Sequence, residues 1–327
     1  MHKHLAVVAL STALTSAAFG EQLVDKSHGF NGIERLYIEQ ECSSNAGAAA
    51  DAARAASLAA HAENLTCAGD FKEAMSVYKE ALKSDNLTSA DKGELYTGLG
   101  YTAIAADKFR YAKNLLKKAV ASFQQAGDSK SAAKAEIWLA KALIMQGHTK
   151  DAAELLEGAL ASLKTTEGAE KEVVVGNTLL VYAYEQRRES EKAAELVRNF
   201  AASGQFNAAE ATNIPLYGRN PSFRGKAAQT KGQTRGDVTL EFTVANDGSV
   251  QNAAVVASTS SSEFERVALN AIQNFRFLPA GESAEPVKYS FHWDMEEQTG
   301  VNIQAPRPPH GTTSFGSVRF GLENVMR

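Results

Sequence analysis

The sequence predicts a multidomain chain: an all-α helical solenoid followed by a small α+β domain. Three observations carry this. From about Ala48 to Ser203 the chain is rich in Ala, Leu, Lys and Glu and contains no proline, a composition that favours long helices. Within that stretch one phrase of small and large apolar residues returns every 38 to 41 residues. After Gly204 the pattern switches to the strict alternation of a half-buried strand.

The N-terminus reads as a targeting segment. Lys3 lies in a short positive region, Leu5 to Leu14 is mostly apolar, and Ala18-Phe19-Gly20 places small residues at both recognition positions of a signal peptidase. The run is shorter than the roughly 20 apolar residues of a transmembrane helix. Residues 1–20 are therefore expected to be a signal peptide cleaved before Glu21, with a retained anchor as the alternative. The chain has 327 residues, 44% of them hydrophobic and 22% charged, with a net charge of -4. That gives no global basic footprint, and nucleic acid is not an expected partner. Residues 21–50 form a lead-in of little periodicity. Its Cys42 and the later Cys67 are the two cysteines. In an oxidising periplasm they read as one disulfide, tying the lead-in to the first helical repeat and contributing roughly 2–4 kcal/mol. Two unpaired thiols are the other reading.

Residues 51–203 carry the repeat. Its phrase is a turn residue, Ala five positions on, a large apolar residue four later, and a small or apolar residue three after that. The copies are Gly69, Ala74, Tyr78, Ala81; then Asp107, Ala112, Leu116, Ala119; then Gly147, Ala152, Leu156, Ala159; and a weaker Arg188, Ala193, Val197, Phe200. The turn residue reverses the chain between antiparallel helices, Ala lets helix backbones approach, and the larger residues on that face fill the gap. Each later turn is preceded by a helix of the same logic: Leu99-Gly100 and Ala103, Leu139-Ala140 and Leu143, Leu180-Val181 and Tyr184. These residues resemble the tetratricopeptide repeat (TPR), at a longer period than its usual 34 residues. The resemblance implies a concave face that binds peptides or partner proteins, lined by Tyr101, Ile104, Lys141, Ile144 and Tyr182. Packing between repeats is the competing role for the same stripe.

Residues 204–220 read as a linker, marked by Pro215 and Gly218. Residues 221–294 then read as a three-stranded antiparallel sheet with one helix. Val238, Leu240, Phe242 and Val244 alternate with polar residues, Asn246-Asp247-Gly248 makes a tight hairpin, and Val250 to Ala257 returns. Ser262 to Glu265 has the form of a capping box. It opens a helix with the stripe Val267, Ala268, Ala271, Ile272 and Phe275. Pro286 to Trp293 is the last strand.

This ordered set resembles the TonB C-terminal domain family. Its elements here are Pro221, Phe223 and Ala227; Gly236, Val238, Leu240, Phe242 and Val244; Asp247-Gly248 and Val250; Val255 and Ser258; Phe264, Ala268-Leu269 and Ala271; Phe275-Arg276-Phe277 with Pro279-Ala280; and Tyr289, Phe291 and Trp293. Arg224 departs from a frequent second proline. The resemblance implies a grip on a short extended peptide of outer-membrane transporters, by β-augmentation on the edge of the last strand. Its residues would be Val287, Tyr289 and Phe291, with Lys288 and Ser290 on the other face. Alternation by two alone makes Tyr289, Phe291 and Trp293 the inward core instead, leaving the edge backbone as the better candidate.

A full energy transducer of that family needs a retained membrane helix and a long proline-rich spacer. Only 7 prolines occur in this chain. The expected function is thus a periplasmic protein-binding adaptor in TonB-dependent outer-membrane transport, meeting membranes only through partners. Those partners would be the TonB-dependent transporters and the inner-membrane proton-motive complex. Two alternatives stand beside it: a membrane-anchored energy transducer and an envelope-assembly scaffold. No catalytic constellation, phosphate loop or metal-ligand spacing is present in the sequence, so neither an enzyme nor a cofactor is expected. Residues 295–327, with Pro306, Pro308 and Pro309, read as a mobile tail.

Overall fold

The computed structural model describes residues 54–164, 166–203, 215–218, 235–279 and 286–294. The signal segment, the lead-in with Cys42, the Pro221 to Ala227 motif and the tail lie outside the described residues. The chain divides into two compact units, Met1–Leu196 and Val197–Arg327.

Eight helices among the described residues make the helical part: α1 (Arg54–Cys67), α2 (Phe71–Ala81), α3 (Ser89–Ala105), α4 (Phe109–Ala126), α5 (Ser129–Ile144), α6 (Thr149–Leu163), α7 (Glu170–Gln186) and α8 (Ser190–Ala202). The four turn residues of the repeat phrase, Gly69, Asp107, Gly147 and Arg188, all adopt positive φ, between 56° and 82°. Each sits in the same hydrogen-bonded motif. The amide after the turn residue reaches back five residues: Asp70 to the Leu65 carbonyl, Lys108 to Ala103, His148 to Leu143 and Glu189 to Tyr184, at 2.8 or 2.9 Å. This wrapping satisfies the last carbonyls of the first helix and launches the second at a fixed angle.

Beyond each turn the phrase does what its residue sizes require. Ala74, Ala112, Ala152 and Ala193 are wholly buried, and so are Leu116, Leu156 and Val197, with Tyr78 nearly so. Two glycines on α3 extend the same device. A Cβ on Gly98 would lie 2.6 Å from Cζ of Tyr78, and one on Gly100 would lie 2.7 Å from Cγ of Leu116. The large residue of these two phrases thus drops into a groove opened by a missing side chain.

The stretch between repeats, Ser84 to Ala90, ends in a start signal that the repeat phrase does not contain. The Thr88 hydroxyl accepts from the Asp91 amide at 3.1 Å, and the Asp91 carboxylate accepts from the Thr88 amide at 2.8 Å, a full capping box for α3. Asp128 caps α5 by accepting from the Ser131 amide at 2.9 Å.

The second unit contains β1 (Pro215–Tyr217), β2 (Arg235–Val244), β3 (Val250–Ser258), α9 (Ser262–Ile272), β4 (Arg276–Phe277) and β5 (Val287–Asp294). The three-stranded sheet has the order β3-β2-β5, antiparallel throughout. Helix α9 covers its inner face with Phe264, Ala268 and Ile272. Two features differ from the sequence reading. Pro215–Tyr217, expected to be linker, is a strand with buried Leu216 and Tyr217, paired with β4. The capping box at Ser262 does not form: Ser261 is the N-cap and makes no side-chain cap bond.

Nothing lies within 4 Å of the point where a Cβ on Gly147 would stand, so Gly147→Ala tests the left-handed turn without a clash. It is expected to destabilise the helical unit by about 1 kcal/mol, read as a lower urea midpoint. By the same logic Arg188→Gly, at φ 63°, should raise it. Equal midpoints for both variants and the parent would show that the left-handed turn carries no strain.

Candidate peptide-binding edge and helical face

A three-stranded sheet has two edge strands, and here they differ in kind. Strand β5 runs against β2 through eight consecutive pairs, from Arg235 with Asp294 to Phe242 with Val287, with no interruption. Strand β3 pairs with the other side of β2 through two register irregularities, one between Thr239 and Leu240 and one between Glu241 and Thr243. Asn252 on β3 also has positive φ, at 54°. Bulges bend and over-twist a strand, which spoils it as a template for a further strand. The smooth edge belongs to β5, and among the described residues no strand pairs with its outer side.

The side chains of β5 alternate as the strand period demands. Val287, Tyr289 and Phe291 are buried in the core, while Lys288 and Ser290 are exposed. On the outer face the Thr239 and Ser290 hydroxyls meet at 2.9 Å, and Lys288 Nζ lies 3.7 Å from the Glu241 carboxylate. The inward side chains therefore hold the strand in place and the backbone edge is what it offers. Burial pushes the Tyr289 phenol up, so it is neutral at any physiological pH.

Phe275, just past α9, organises the core behind this edge. Its ring lies 5.6 Å from Tyr289, 5.8 Å from Phe291 and 6.1 Å from Phe277. Two sequence motifs far apart in the chain meet beside it. The Phe277 amide donates to the Gly248 carbonyl at 2.9 Å, and a Cβ on Gly248 would lie 2.5 Å from the Phe277 oxygen. The Arg276 guanidinium reaches the Asp247 carbonyl at 3.3 Å and its carboxylate at 3.5 Å. The Asp247 carboxylate also accepts from the Ser249 amide at 2.8 Å, closing the hairpin turn. Burial pushes the Asp247 carboxyl up, but the Ser249 hydrogen bonds and the Arg276 charge outweigh it, and the net shift is downward.

In the helical part, four residues stand six positions before the left-handed turn of their repeat: Glu63, Tyr101, Lys141 and Tyr182. Cys67, Ala105, Met145 and Gln186 stand two positions before it. The two columns share one face, since residues four apart on a helix are neighbours and the Gln186 amide donates to the Tyr182 hydroxyl at 3.2 Å. Tyr101 and Trp138 bridge α3 and α5 edge to face, 5.0 Å between ring centroids. Tyr101 and Tyr182 are half-buried, whereas Ile104, Lys141 and Ile144 are buried. No free cysteine is present among the described residues, which include Cys67 but not Cys42. Among the described residues no cluster of His, Cys, Asp and Glu could hold a metal ion, and no helix is long and apolar enough to cross a membrane.

Residues 226–295 match the family of Gram-negative bacterial TonB protein C-terminal domains. The sheet, its α9 helix and the β5 edge all lie inside that TonB C-terminal match. Solved structures similar to the chain are TPR-like repeat proteins. A kinesin light chain with nearly identical TPR-like repeats from Podosopora anserina is 19% identical over 59% of this chain and 92% of its own, with a TM-score of 0.40. BtubC (BKLC) from P. vanneervenii is 16% identical over 62% of this chain and 79% of its own, with a TM-score of 0.44. No curated protein matches the chain. The TonB C-terminal match points to a protein-interacting, envelope-associated protein.

Sequence reasoning found the strand and its alternation but not the contrast between the two edges, which depends on bulges. It also missed the Asp247–Arg276 contact. The only signal for that was two motifs of the TonB C-terminal pattern with no stated reason to be neighbours.

Phe275→Ala should cost about 3–5 kcal/mol of stability in the second unit, measured by denaturant unfolding. For Asp247 the lowered pKa fixes a sign. Its contribution is present above the ordinary carboxylate range and is lost as pH falls through the lowered folded value. Asp247→Asn should therefore be less stable than the parent at pH 7, and the gap should close on acidification. A gap independent of pH would exclude the carboxylate as its source.

Proposed function

We propose that this chain is a periplasmic protein-binding adaptor in TonB-dependent outer-membrane transport. It takes up an extended peptide of a transporter along the outer edge of β5, by β-augmentation. The observation that carries the reading is the uninterrupted β2·β5 ladder, set against the bulged β2·β3 ladder on the other side. An incoming strand needs a regular row of donors and acceptors, and only β5 supplies one among the described residues. Lys288 and Ser290 flank that row and give it local polarity, while the aromatic core behind Tyr289 and Phe291 keeps it rigid. Rigidity matters because a preformed edge avoids the entropic cost of ordering it on binding.

The helical array adds a second binding face around Tyr101, Lys141 and Tyr182. Export by a signal peptide cleaved before Glu21, and a Cys42–Cys67 disulfide, complete the proposal. The state of Cys67, which is not free, supports the bridge.

The backbone origin of the grip can be tested with synthetic extended peptides from TonB-dependent transporters. N-methylation at alternate peptide positions should weaken binding at least tenfold on one set and little on the other. In the same titration the β5 amides should gain protection from hydrogen exchange, and those of β3 should not. Equal affinity of all the methylated peptides would sink β-augmentation. The intact mass of the exported protein checks the address: a start at Glu21, and a two-hydrogen deficit without reductant, are expected.

A further inference from the structure

The second helices of the four hairpins share their packing but not their charge. Helices α2, α6 and α8 each place a carboxylate in the first turn, Glu73, Asp151 and Glu191, where the helix dipole favours one. Helix α4 has none there and carries Arg110 instead. From Lys108 to Gly127 the chain holds five cations, Lys108, Arg110, Lys113, Lys117 and Lys118, and no Asp or Glu. The net charge of the whole chain is -4, so this run is a local concentration and not a reflection of composition.

Helical spacing puts the cations of α4 on one face. Positions 110, 113, 117 and 118 follow the i, i+3, i+7, i+8 rule, and the row from Arg110 to Lys118 is about 12 Å long. It lies opposite the packed side of the helix, where Ala112, Leu115, Leu116, Ala119 and Phe123 are buried. Lys108, Arg110, Lys117 and Lys118 are exposed and Lys113 is half-buried. Among the described residues no carboxylate forms an ion pair with any of the five. Lys113 and Lys117 stand one turn apart, a like-charge pair that lowers helix stability. Arg110 at the positive end of the helix dipole lowers it further. Nothing among the described carboxylates offsets either effect, so the row is suited to an anion from outside. Tyr111 flanks it. This is one of two large hydrophobic residues exposed among the described ones, at 36%, and the Lys79 ammonium of α2 lies 5.5 Å from its ring centroid.

We propose that this face of α4, with Tyr111 and Lys79 beside it, docks on the surface of an anionic lipid bilayer. The inference does not rest on the β5 edge or on any peptide partner.

Residue type selects the partner. Four of the five cations are lysines, compact charges on flexible stems, whereas a site shaped for a single carboxylate or phosphate uses the planar fork of arginine. A lipid surface presents mobile headgroups without fixed geometry, and long lysine stems reach it in any register. A tyrosine at the border of the row suits the same surface, because its ring and hydroxyl settle at headgroup level. Among the described residues no helix is long and apolar enough to cross a membrane, so this contact is with the surface and is screened by salt. Each cation brought to such a surface raises the binding constant about fivefold.

Cosedimentation of residues 21–327 with vesicles of equimolar phosphatidylglycerol and phosphatidylethanolamine tests this. Binding is expected. It should disappear on vesicles of phosphatidylcholine alone, and in ~1 M salt, where the screening length is about 3 Å. Arg110→Gln combined with Lys117→Gln should weaken it about 25-fold. Both positions are exposed, so the urea midpoint should stay at that of the parent. Lys150→Gln combined with Lys164→Gln, equally exposed and at the two ends of α6, should leave binding unchanged. Tyr111→Trp should shift its emission to the blue on the anionic vesicles. No binding to those vesicles, binding untouched by the α4 pair, an equal loss from the α6 pair, or an unshifted Trp emission would each overturn the proposal. Tighter binding of poly-glutamate than of the vesicles would overturn it too, making the face a docking surface for acidic protein. Peptide protection at β5 is read separately and does not enter the decision.

Discussion

Strand β2 carries two neighbours on one backbone, and the inequality between them governs the second unit. On one side it meets β5 pair by pair over eight residues; on the other it meets β3 with two slips of register. Each slip leaves a residue unpaired, so the β3 ladder is irregular while the β5 ladder is not. A protein that needs one sticky edge and not two can meet both demands this way, because the irregular edge is poor at recruiting strands. The hydrophobic face shared by both ladders holds the arrangement in place. Val238, Leu240 and Phe242 of β2 pack with Val287, Tyr289 and Phe291 of β5 and with Phe275 beyond the helix.

The hairpin and the short β4 strand make a second, local constraint. The turn at Asp247 and Gly248 is closed by Ser249, and Arg276 and Phe277 dock onto it through a backbone hydrogen bond and a guanidinium. A side chain at Gly248 would strike the Phe277 carbonyl. Glycine is therefore required there twice, for its positive φ and for the approach of another strand. The Asp247-Gly248 and Arg276-Phe277 motifs of the TonB C-terminal pattern are thus contact partners, not separate signatures.

In the helical array the repeating element is a conformation rather than a residue type. Gly69, Asp107, Gly147 and Arg188 share the left-handed turn although two of them are not glycine. A non-glycine residue there is strained by about 1 kcal/mol or more, which the packing on both sides must hold. Because the turn fixes the start of each second helix, it fixes which residues of successive first helices fall into one column. Counting from the turn aligns Tyr101, Lys141 and Tyr182 despite repeats of unequal length.

The helical repeats were legible because their signal is local: a turn residue, an alanine and a large apolar residue at helical spacing bury themselves in the same way in every copy. The strands of the sheet were legible through alternation by two, and inward placement of Val287, Tyr289 and Phe291 follows from that alternation alone. Other features were not legible. The β1 strand joins β4 from far along the chain, Pro215 lying opposite Phe277, and three residues around a proline carry no period. The capping box at Thr88 is local, yet its residues lie in a stretch that the repeat phrase counts only as extra length. The one expected at Ser262 fails because the helix takes Ser261 as its N-cap. What the chain by itself determined is the identity and order of its elements, since propensity, periodicity and turn chemistry act over a few residues. Which edge of the sheet is smooth, and how deeply Lys141 is covered, only the tertiary structure decided. Bulges, docking and burial arise between segments whose separation in the sequence says nothing about their distance in space.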